Sequence, residues 1–237
     1  MTPGRIFLLP TLLAGVEASS VLPERTLATT RAIAHFVVEN AKPARAFLKA
    51  AGHPGPLQSL AIVELGDAPT PAQCREMLAP VRGGHDLGLL SDAGCPGIAD
   101  PGARLVAAAH REGMIVIPLV GPSSLLLALM ASGMNGQGFA FHGYLPVKME
   151  PRAEALRQLE AQSLRSGHAQ MFIETPYRNE AMLAAIVATC RPQTHLCVAV
   201  DLTAPTESVE TRSLREWRGR DGARYARRPA IFILQAG

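Results

Sequence analysis

The segment of residues 87–102 constrains the fold of this chain more than any other part of the sequence. It opens with the apolar residues 87–90, which predict a short buried strand, and continues with Gly, Pro, Asp and Ser residues that interrupt both helices and strands. The Ala-rich residues 104–111 predict a helix, with Pro101 in its first turn. A strand, a long irregular loop and a helix in this order are typical of an open α/β sheet, in which ligands bind at the carboxyl ends of the strands.

The chemistry of this loop suits a ligand. Its glycines let backbone groups approach a bound molecule closely, and Asp92 and Asp100 can accept hydrogen bonds from hydroxyl or amine groups. The alternative is a connector whose aspartates only cap backbone amides. The loop is longer than the usual connection between a strand and a helix, and this length favours a functional role.

The order of predicted elements divides the 237-residue chain in two. Strands alternate with helices up to residue 119, which predicts a mostly parallel sheet. Three strands close together near the carboxyl end predict a mixed or antiparallel sheet. The predicted fold class is therefore α/β, with one α/β domain over residues 1–120 and a second over residues 121–237.

Composition excludes several classes of protein. The four cysteines are scattered and form no CxxC pair, so neither a zinc site nor a disulfide framework is indicated, and reduced thiols in a cytoplasm fit best. No apolar run approaches the length needed to span a bilayer, and no membrane association is expected. The formal net charge of +3 does not by itself indicate nucleic acid.

A second loop of ligand type follows the predicted strand over residues 114–119. It has the sequence GPSS, in which Ser123 and Ser124 precede an apolar helix. The amino end of such a helix offers unpaired amides to a polar or anionic group. An ordinary helix cap is the alternative.

Four charged residues follow predicted strands and are candidates for catalysis. Glu39 and Glu174 are candidate acid–base groups, because each directly follows an apolar strand and would face the crevice at the sheet edge. Lys148 and Arg178 lie in loops and could hold a phosphate or polarise an acceptor. Each of the four could instead form a surface ion pair.

The segment of residues 212–228 carries seven arginines together with Trp217 and Tyr225. Arginines that contact phosphates, with aromatic rings that stack on bases, are typical of surfaces that bind RNA. A solvated loop is the alternative, and Glu216 and Asp221 neutralise part of the charge.

Four motifs occur in order along the chain: SDAGCPGIADPG, IPLVGPSSLLLALMASG, FHGYLPVK and FIETPYR. Together they resemble the tetrapyrrole methylase superfamily, and within it most closely the ribosomal RNA small subunit methyltransferase I group. Three positions depart from that group's pattern: Asn40 replaces an aspartate, Cys95 a threonine and Tyr177 a histidine. These departures bear on the substrate more than on methyl transfer.

The resemblance implies two α/β domains with S-adenosyl-L-methionine bound in the cleft between them, and a homodimer. Methyl transfer from this cofactor requires no metal, and the sequence contains no cluster of metal ligands. The resemblance also implies which residues bind the cofactor. They lie in the loops after the first strand, the strand 87–90 and the strand 114–119, and are Pro10, Asp92, Ala93, Gly94, Pro96, Ser123 and Ser124.

The leading functional hypothesis is an S-adenosylmethionine-dependent methyltransferase that acts on RNA, at a ribose 2′-hydroxyl of ribosomal RNA. A methyltransferase for a small molecule such as a tetrapyrrole is an alternative, and so is a cofactor- or RNA-binding module without turnover. A dinucleotide oxidoreductase is disfavoured because no GxGxxG follows the first predicted strand.

Overall fold

The computed structural model describes residues 3–237, which form two compact units that meet in sequence between Ser123 and Ser124. Met1 and Thr2, which the predicted first domain includes, lie outside the described residues. Each unit contains one five-stranded sheet covered by helices. The predicted fold class, α/β with a parallel sheet first and a mixed sheet second, is confirmed.

The N-terminal unit has a wholly parallel sheet with the strand order β3-β2-β4-β1-β5. Its strands are β1 (Arg5–Leu9), β2 (His35–Val38), β3 (Ala61–Glu64), β4 (Leu87–Leu90) and β5 (Ile115–Pro118), and its helices are α1 (Glu24–Ala32), α2 (Ala41–Ala50), α3 (Pro71–Met77), α4 (Ala79–Arg82) and α5 (Ala103–Arg111).

The helices of this unit cover both faces of its sheet. From β1 to β2 to β3 the chain moves toward one edge of the sheet, and from β3 to β4 to β5 it moves back toward the other edge. Because such crossovers are right-handed, α1 and α2 lie on one face and α3 to α5 on the other. Side chains alternate accordingly: Phe36 packs in the core with α1 and α2, whereas Val37 packs in the core with α3 to α5.

The helix after the long loop begins later than the sequence predicts. Gly102 is its N-cap residue, with a φ of 138°, and the first helical residue is Ala103. Pro101 therefore lies in the loop, and the prediction that it occupies the first turn is wrong. The positive φ of Gly102 is not helical, so the helix cannot extend back to the proline.

The C-terminal unit has a mixed sheet with the order β6-β7-β10-β8-β9, in which only the β6–β7 pair is parallel. Its strands are β6 (Phe139–Tyr144), β7 (Ala169–Glu174), β8 (His195–Val200), β9 (Ser208–Ser213) and β10 (Ala230–Gln235), and its helices are α6 (Ser124–Ser132), α7 (Met149–Ser166), α8 (Asn179–Thr189) and α9 (Leu214–Trp217).

The core of this unit includes both aromatic residues of the arginine-rich segment. Trp217 and Tyr225 are only 2% and 1% exposed, and they pack against α8 and the sheet. The indole Nε1 of Trp217 donates a hydrogen bond to the carbonyl oxygen of Leu196, at 3.0 Å. The prediction that these rings stack on RNA bases is therefore wrong, because their large apolar area is already buried.

Three further features bear on the class of protein. No helix within residues 3–237 is both long and apolar enough to cross a membrane. The same residues contain no group of three or more His, Cys, Asp or Glu side chains arranged to hold a metal ion. All four cysteines are free thiols, three of them buried.

Candidate functional site

The loop after β4 lies at the carboxyl edge of the parallel sheet. β4 pairs with β2 on one side and β1 on the other, so the loops after these three strands lie next to one another. The sequence predicted this placement from the buried strand and the run of turn-forming residues. We call residues 91–102 the β4 loop.

The β4 loop is hydrogen-bonded to the loop after β1. The backbone amide of Thr11 donates to the carbonyl oxygen of Gly94, at 2.8 Å, and the Thr11 hydroxyl donates to the carbonyl oxygen of Ser91, at 3.3 Å. Gly94 has a φ of 74°, a conformation that suits glycine. Thr11 was missed by the sequence analysis, and its only signal was its place directly after Pro10.

The loop after β5 closes on the same edge. A Cβ atom on Gly121 would lie 2.3 Å from Cβ of Pro10, so only glycine allows the two loops to approach this closely. The thiol of Cys95 donates to the carbonyl oxygen of Pro122, at 3.5 Å. Ser123 follows directly, and Ser124 begins α6.

The predicted cofactor residues differ in exposure. Asp92 and Ala93 are exposed, whereas Pro10, Gly94 and Pro96 are buried. Asp92 and Ala93 are therefore accessible to a ligand, and the three buried residues fix the shape of the loop that presents them.

Three acidic residues gather where β2 and β4 end. The backbone amide of Asp92 donates to Oε2 of Glu39, at 3.0 Å, and Nδ2 of Asn40 donates to Oδ2 of Asp92, at 2.8 Å. Asp100, from the far end of the β4 loop, is close enough for its ionisation to respond to both carboxylates. None of the three forms an ion pair with a Lys, Arg or His side chain in the described part of the chain. We call Glu39, Asp92 and Asp100 the acidic cluster.

The acidic cluster disfavours further negative charge. Burial, and then the charge of Glu39, raise the pKa of Asp100 to about 6, although the Ser91 hydroxyl offsets part of the rise. Burial also raises the pKa of the Cys95 thiol, and Asp100 adds to that rise. A ligand with positive charge and hydroxyl groups would relieve this repulsion and could donate hydrogen bonds to these carboxylates.

Glu174 and Arg178 form an ion pair in the C-terminal unit. Oε1 of Glu174 accepts hydrogen bonds from Nη2 of Arg178, at 2.6 Å, from Nε at 2.9 Å, and from the amide of Thr175 at 2.7 Å. Glu174 is 4% exposed, and its Oε2 is buried without a hydrogen-bond partner among the described residues. A buried acceptor with no donor is costly, and a donor that reached this oxygen would relieve that cost.

The turn after β7 is held by residues close to β10. The amide of Arg227 donates to the carbonyl oxygen of Pro176, at 2.8 Å, and Nδ2 of Asn179 donates to the carbonyl oxygen of Arg228, at 2.7 Å. Arg227 has a φ of 60°, which is strained for a residue other than glycine. Arg178 is therefore fixed on a rigid turn, whereas Lys148 is exposed at the start of α7.

The arginine-rich segment gathers around Glu210. This carboxylate forms ion pairs with three arginines and accepts a hydrogen bond from the Tyr225 hydroxyl, at 2.8 Å. These contacts lower the pKa of Glu210, although burial acts in the opposite direction. The three arginines are Arg212, Arg220 and Arg224.

The chain has the fold of the tetrapyrrole methylases. The crystal structure of the methyltransferase CobJ matches it with a TM-score of 0.65 and 16% identity, covering 99% of this chain and 95% of that one. Uroporphyrin-III C-methyltransferase from Thermus thermophilus, in complex with S-adenosylhomocysteine, matches with a TM-score of 0.56 and 17% identity, covering 98% and 97% of the two chains.

The sequence resemblance to the ribosomal RNA small subunit methyltransferase I group is confirmed. The protein of that name from Mesorhizobium japonicum is 37% identical over 140 residues, which are 59% of this chain and 46% of the relative. The one from Escherichia coli O157:H7 is 28% identical over 206 residues, which are 87% and 68% of the two chains.

The match does not extend over the whole of these relatives. The chain spans about half of the length of the Mesorhizobium and Synechocystis proteins, at 46% and 48%. No protein-family model matches the chain.

Proposed function

We propose that the chain is an S-adenosyl-L-methionine-dependent methyltransferase that acts on RNA, with a ribose 2′-hydroxyl of ribosomal RNA as the acceptor. The relatives bear the name of a ribosomal RNA methyltransferase, and the fold is one that binds S-adenosylhomocysteine in a solved neighbour. Placement of the cofactor between two domains stays a prediction from the resemblance.

The acidic cluster is the observation that carries this proposal. S-adenosylmethionine has a sulfonium and an ammonium group, both positive, and a ribose diol that donates hydrogen bonds. An acidic cluster without a cationic partner among the described residues suits such a ligand. Asp92 and Ala93 would contact the cofactor, supported by the buried residues of the β4 loop and by Ser123 and Ser124. Glu39, whose carboxylate accepts from the amide of Asp92, would hold the loop in position.

The residues of the C-terminal unit would act on the acceptor. When bound, the cofactor supplies an electrophilic methyl group, and the protein must align the acceptor and take up its proton. Oε2 of Glu174 is the buried, unpartnered oxygen that can accept the proton of a hydroxyl. Arg178, fixed on Oε1 of the same carboxylate, and the exposed Lys148 would hold a neighbouring phosphate.

Labelled methyl transfer tests this proposal. Small ribosomal subunits from a strain that lacks the modification are incubated with the protein and methyl-labelled S-adenosylmethionine, and the label is followed with and without RNase. We expect label in RNA, and we expect Glu174→Gln to lower the rate at least about a hundredfold while S-adenosylhomocysteine affinity is kept. Label that survives RNase, or no transfer despite cofactor binding, would contradict the proposal.

A small-molecule acceptor is the second candidate. It is supported by two structural neighbours that are named as uroporphyrin-III C-methyltransferases, although identities of 17–18% carry the fold alone. RNA and a polycarboxylated tetrapyrrole are both anions, so the amount of positive charge in residues 212–228 does not distinguish them. Only the arrangement of these charges along the segment favours RNA. A parallel assay with uroporphyrinogen III as acceptor separates the two.

We also propose a cytoplasmic homodimer as the working state. The resemblance supports the dimer, and four free thiols suit a reducing compartment. Light scattering coupled to size exclusion would give twice the mass of 25.2 kDa if the dimer forms.

A further inference from the structure

The C-terminal unit contains a cavity that the proposed cofactor and acceptor sites do not use. It has a volume of about 510 Å³ and lies between α8 and residues 217–222. A volume of this size is sufficient for a nucleoside, since small-molecule sites typically measure about 300–1,000 Å³.

The two sides of this cavity differ in chemistry. The wall formed by α8 is apolar except for Glu180 near the start of the helix, whereas Trp217, Arg218 and Arg220 lie on the opposite side. An apolar wall facing two guanidinium groups is complementary to a nucleotide, which joins a flat base to a charged phosphate. The apolar residues of the wall are Leu183, Ala184, Val187 and Ala188.

The arginines next to the cavity carry more charge than their partners neutralise. Residues 208–228 contain seven arginines against three acidic residues, a net charge of +4 that exceeds the +3 of the whole chain. The Glu210 side chain is 12% exposed, whereas the Arg220 and Arg224 side chains above it are 35% and 46% exposed. The single carboxylate therefore lies beneath several cations that still face solvent.

Arg220 is held in place by two acceptors. Its Nη1 donates to Oε1 of Glu210, at 2.8 Å, and its Nε donates to the carbonyl oxygen of Glu216, at 3.3 Å. A guanidinium that is already fixed loses less side-chain entropy when it binds a phosphate. Arg218 is exposed and forms no ion pair with the described residues, so its N–H groups remain available.

We propose that this surface binds one nucleotide of single-stranded RNA, with the base against the apolar wall of α8 and the flanking phosphates on Arg218 and Arg220. We call it the nucleotide subsite. It rests on the proposed function, because it assigns to the RNA substrate a contact outside the methyl-transfer site. A free phosphate would use the arginines alone, so the apolar wall is what specifies a nucleotide.

The arginines are tested by fluorescence anisotropy with a labelled oligouridine across a salt series. Arg218→Gln with Arg220→Gln should lower the affinity at low salt about tenfold or more, and should reduce the salt slope by about 1.4, at about 0.7 for each phosphate contact on a single strand. The matched control is Arg157→Gln with Arg165→Gln, which removes the same charge from the exposed side of α7 in the same unit. Equal losses in the two double variants would overturn the subsite, because binding would then depend on net charge alone.

The apolar wall is tested by Ala184→Glu, which introduces a carboxylate at an exposed helical position that lines the cavity. The control is Ala161→Glu, at an exposed position on α7. We expect the first variant to bind oligouridine several-fold more weakly and the control to match the parent protein. Unchanged binding by Ala184→Glu, or equally tight binding of inorganic polyphosphate by the parent protein, would overturn the base contact.

Two further measurements separate this proposal from the proposed function. S-adenosylhomocysteine affinity and methyl transfer are measured for the parent protein and every variant. If the parent protein transfers methyl groups to RNA but the arginine variants bind RNA like their control, the subsite alone is wrong. If the parent protein transfers no methyl group while oligouridine binding depends on Arg218 and Arg220, the proposed activity is wrong and the subsite stands.

Discussion

Among the residues of the β4 loop, Asp100 has the pKa that its surroundings shift most. Its pKa rises from 3.8 to about 6 on folding, so the folded protein holds this proton more tightly than the unfolded chain does. Between about pH 4 and pH 6 this group therefore lowers the free energy of unfolding as the pH rises, and above about pH 6 its effect is constant. Asp100→Asn cannot ionise, and we expect its stability to fall less over that range.

Urea unfolding between about pH 4 and pH 7 measures this difference. Asp67→Asn is the control, because Asp67 is an exposed aspartate outside the acidic cluster. If Asp100→Asn and Asp67→Asn follow the same curve as the parent protein, the carboxyl of Asp100 titrates normally and the acidic cluster is more hydrated than its geometry indicates.

Gly94 combines a backbone role with a place in the predicted cofactor site. With a φ of 74°, and with Cδ2 of Leu13 3.1 Å from the position of a Cβ atom, it should not tolerate a branched side chain. We expect Gly94→Val to lower the free energy of unfolding by about 1–2 kcal/mol through left-handed strain. We also expect S-adenosylhomocysteine affinity to fall about tenfold, or about 1.4 kcal/mol.

Gly66→Val is the matched variant for this test. Gly66 has a similar φ of 71° and nothing within 4 Å of a Cβ position, so it carries the backbone strain without the loop contact. Calorimetry should find its affinity for S-adenosylhomocysteine unchanged. If both variants bind alike, Gly94 acts on the fold and not on the cofactor.

The β4 loop and the arginine-rich segment differ in how far the sequence could predict them. The loop could be placed at a sheet edge because a buried strand and the turn-forming residues after it are local signals. The hydrogen bonds that shape it join Thr11 to Gly94 and Asn40 to Asp92, which are far apart in sequence and left no local pattern. In the arginine-rich segment, a tryptophan among arginines is expected both in a surface that stacks on bases and in a buried core. The sequence therefore does not show that Trp217 is buried, which follows from its packing against α8.

The burial of Trp217 leads to a prediction for the element that contains it. Trp217→Phe keeps an aromatic ring but leaves the carbonyl oxygen of Leu196 without its donor. We expect a loss of about 1–3 kcal/mol in the free energy of unfolding, because an unsatisfied buried acceptor carries that cost. Although Trp217 lines the cavity of the nucleotide subsite, its ring is only 2% exposed. The affinity of the folded variant for oligouridine should therefore stay within about twofold. A large loss of RNA affinity without a loss of stability would restore the stacking role.

Across the whole molecule, charge is divided unevenly between the two units. Residues 1–123 contain ten basic and ten acidic residues, whereas residues 124–237 contain thirteen basic and ten acidic ones, so the formal net charge of +3 comes entirely from the C-terminal unit. The N-terminal unit carries the acidic cluster that suits a cationic cofactor, and the C-terminal unit carries the surface that suits a polyanion. This division suits the proposed function, in which the acidic cluster contacts the cofactor and the arginines contact RNA.

The same division predicts that the two ligands respond differently to salt. RNA binding by the C-terminal unit should weaken steeply as salt rises, because phosphate contacts release counterions. S-adenosylhomocysteine carries no net charge near neutral pH, and the N-terminal unit has equal numbers of basic and acidic residues. The affinity for S-adenosylhomocysteine should therefore change little over the same salt series. Anisotropy with oligouridine and calorimetry with S-adenosylhomocysteine, both from about 50 to 200 mM salt, measure the two slopes. If the cofactor slope is as steep as the RNA slope, the two ligands share one electrostatic surface, and this prediction is wrong.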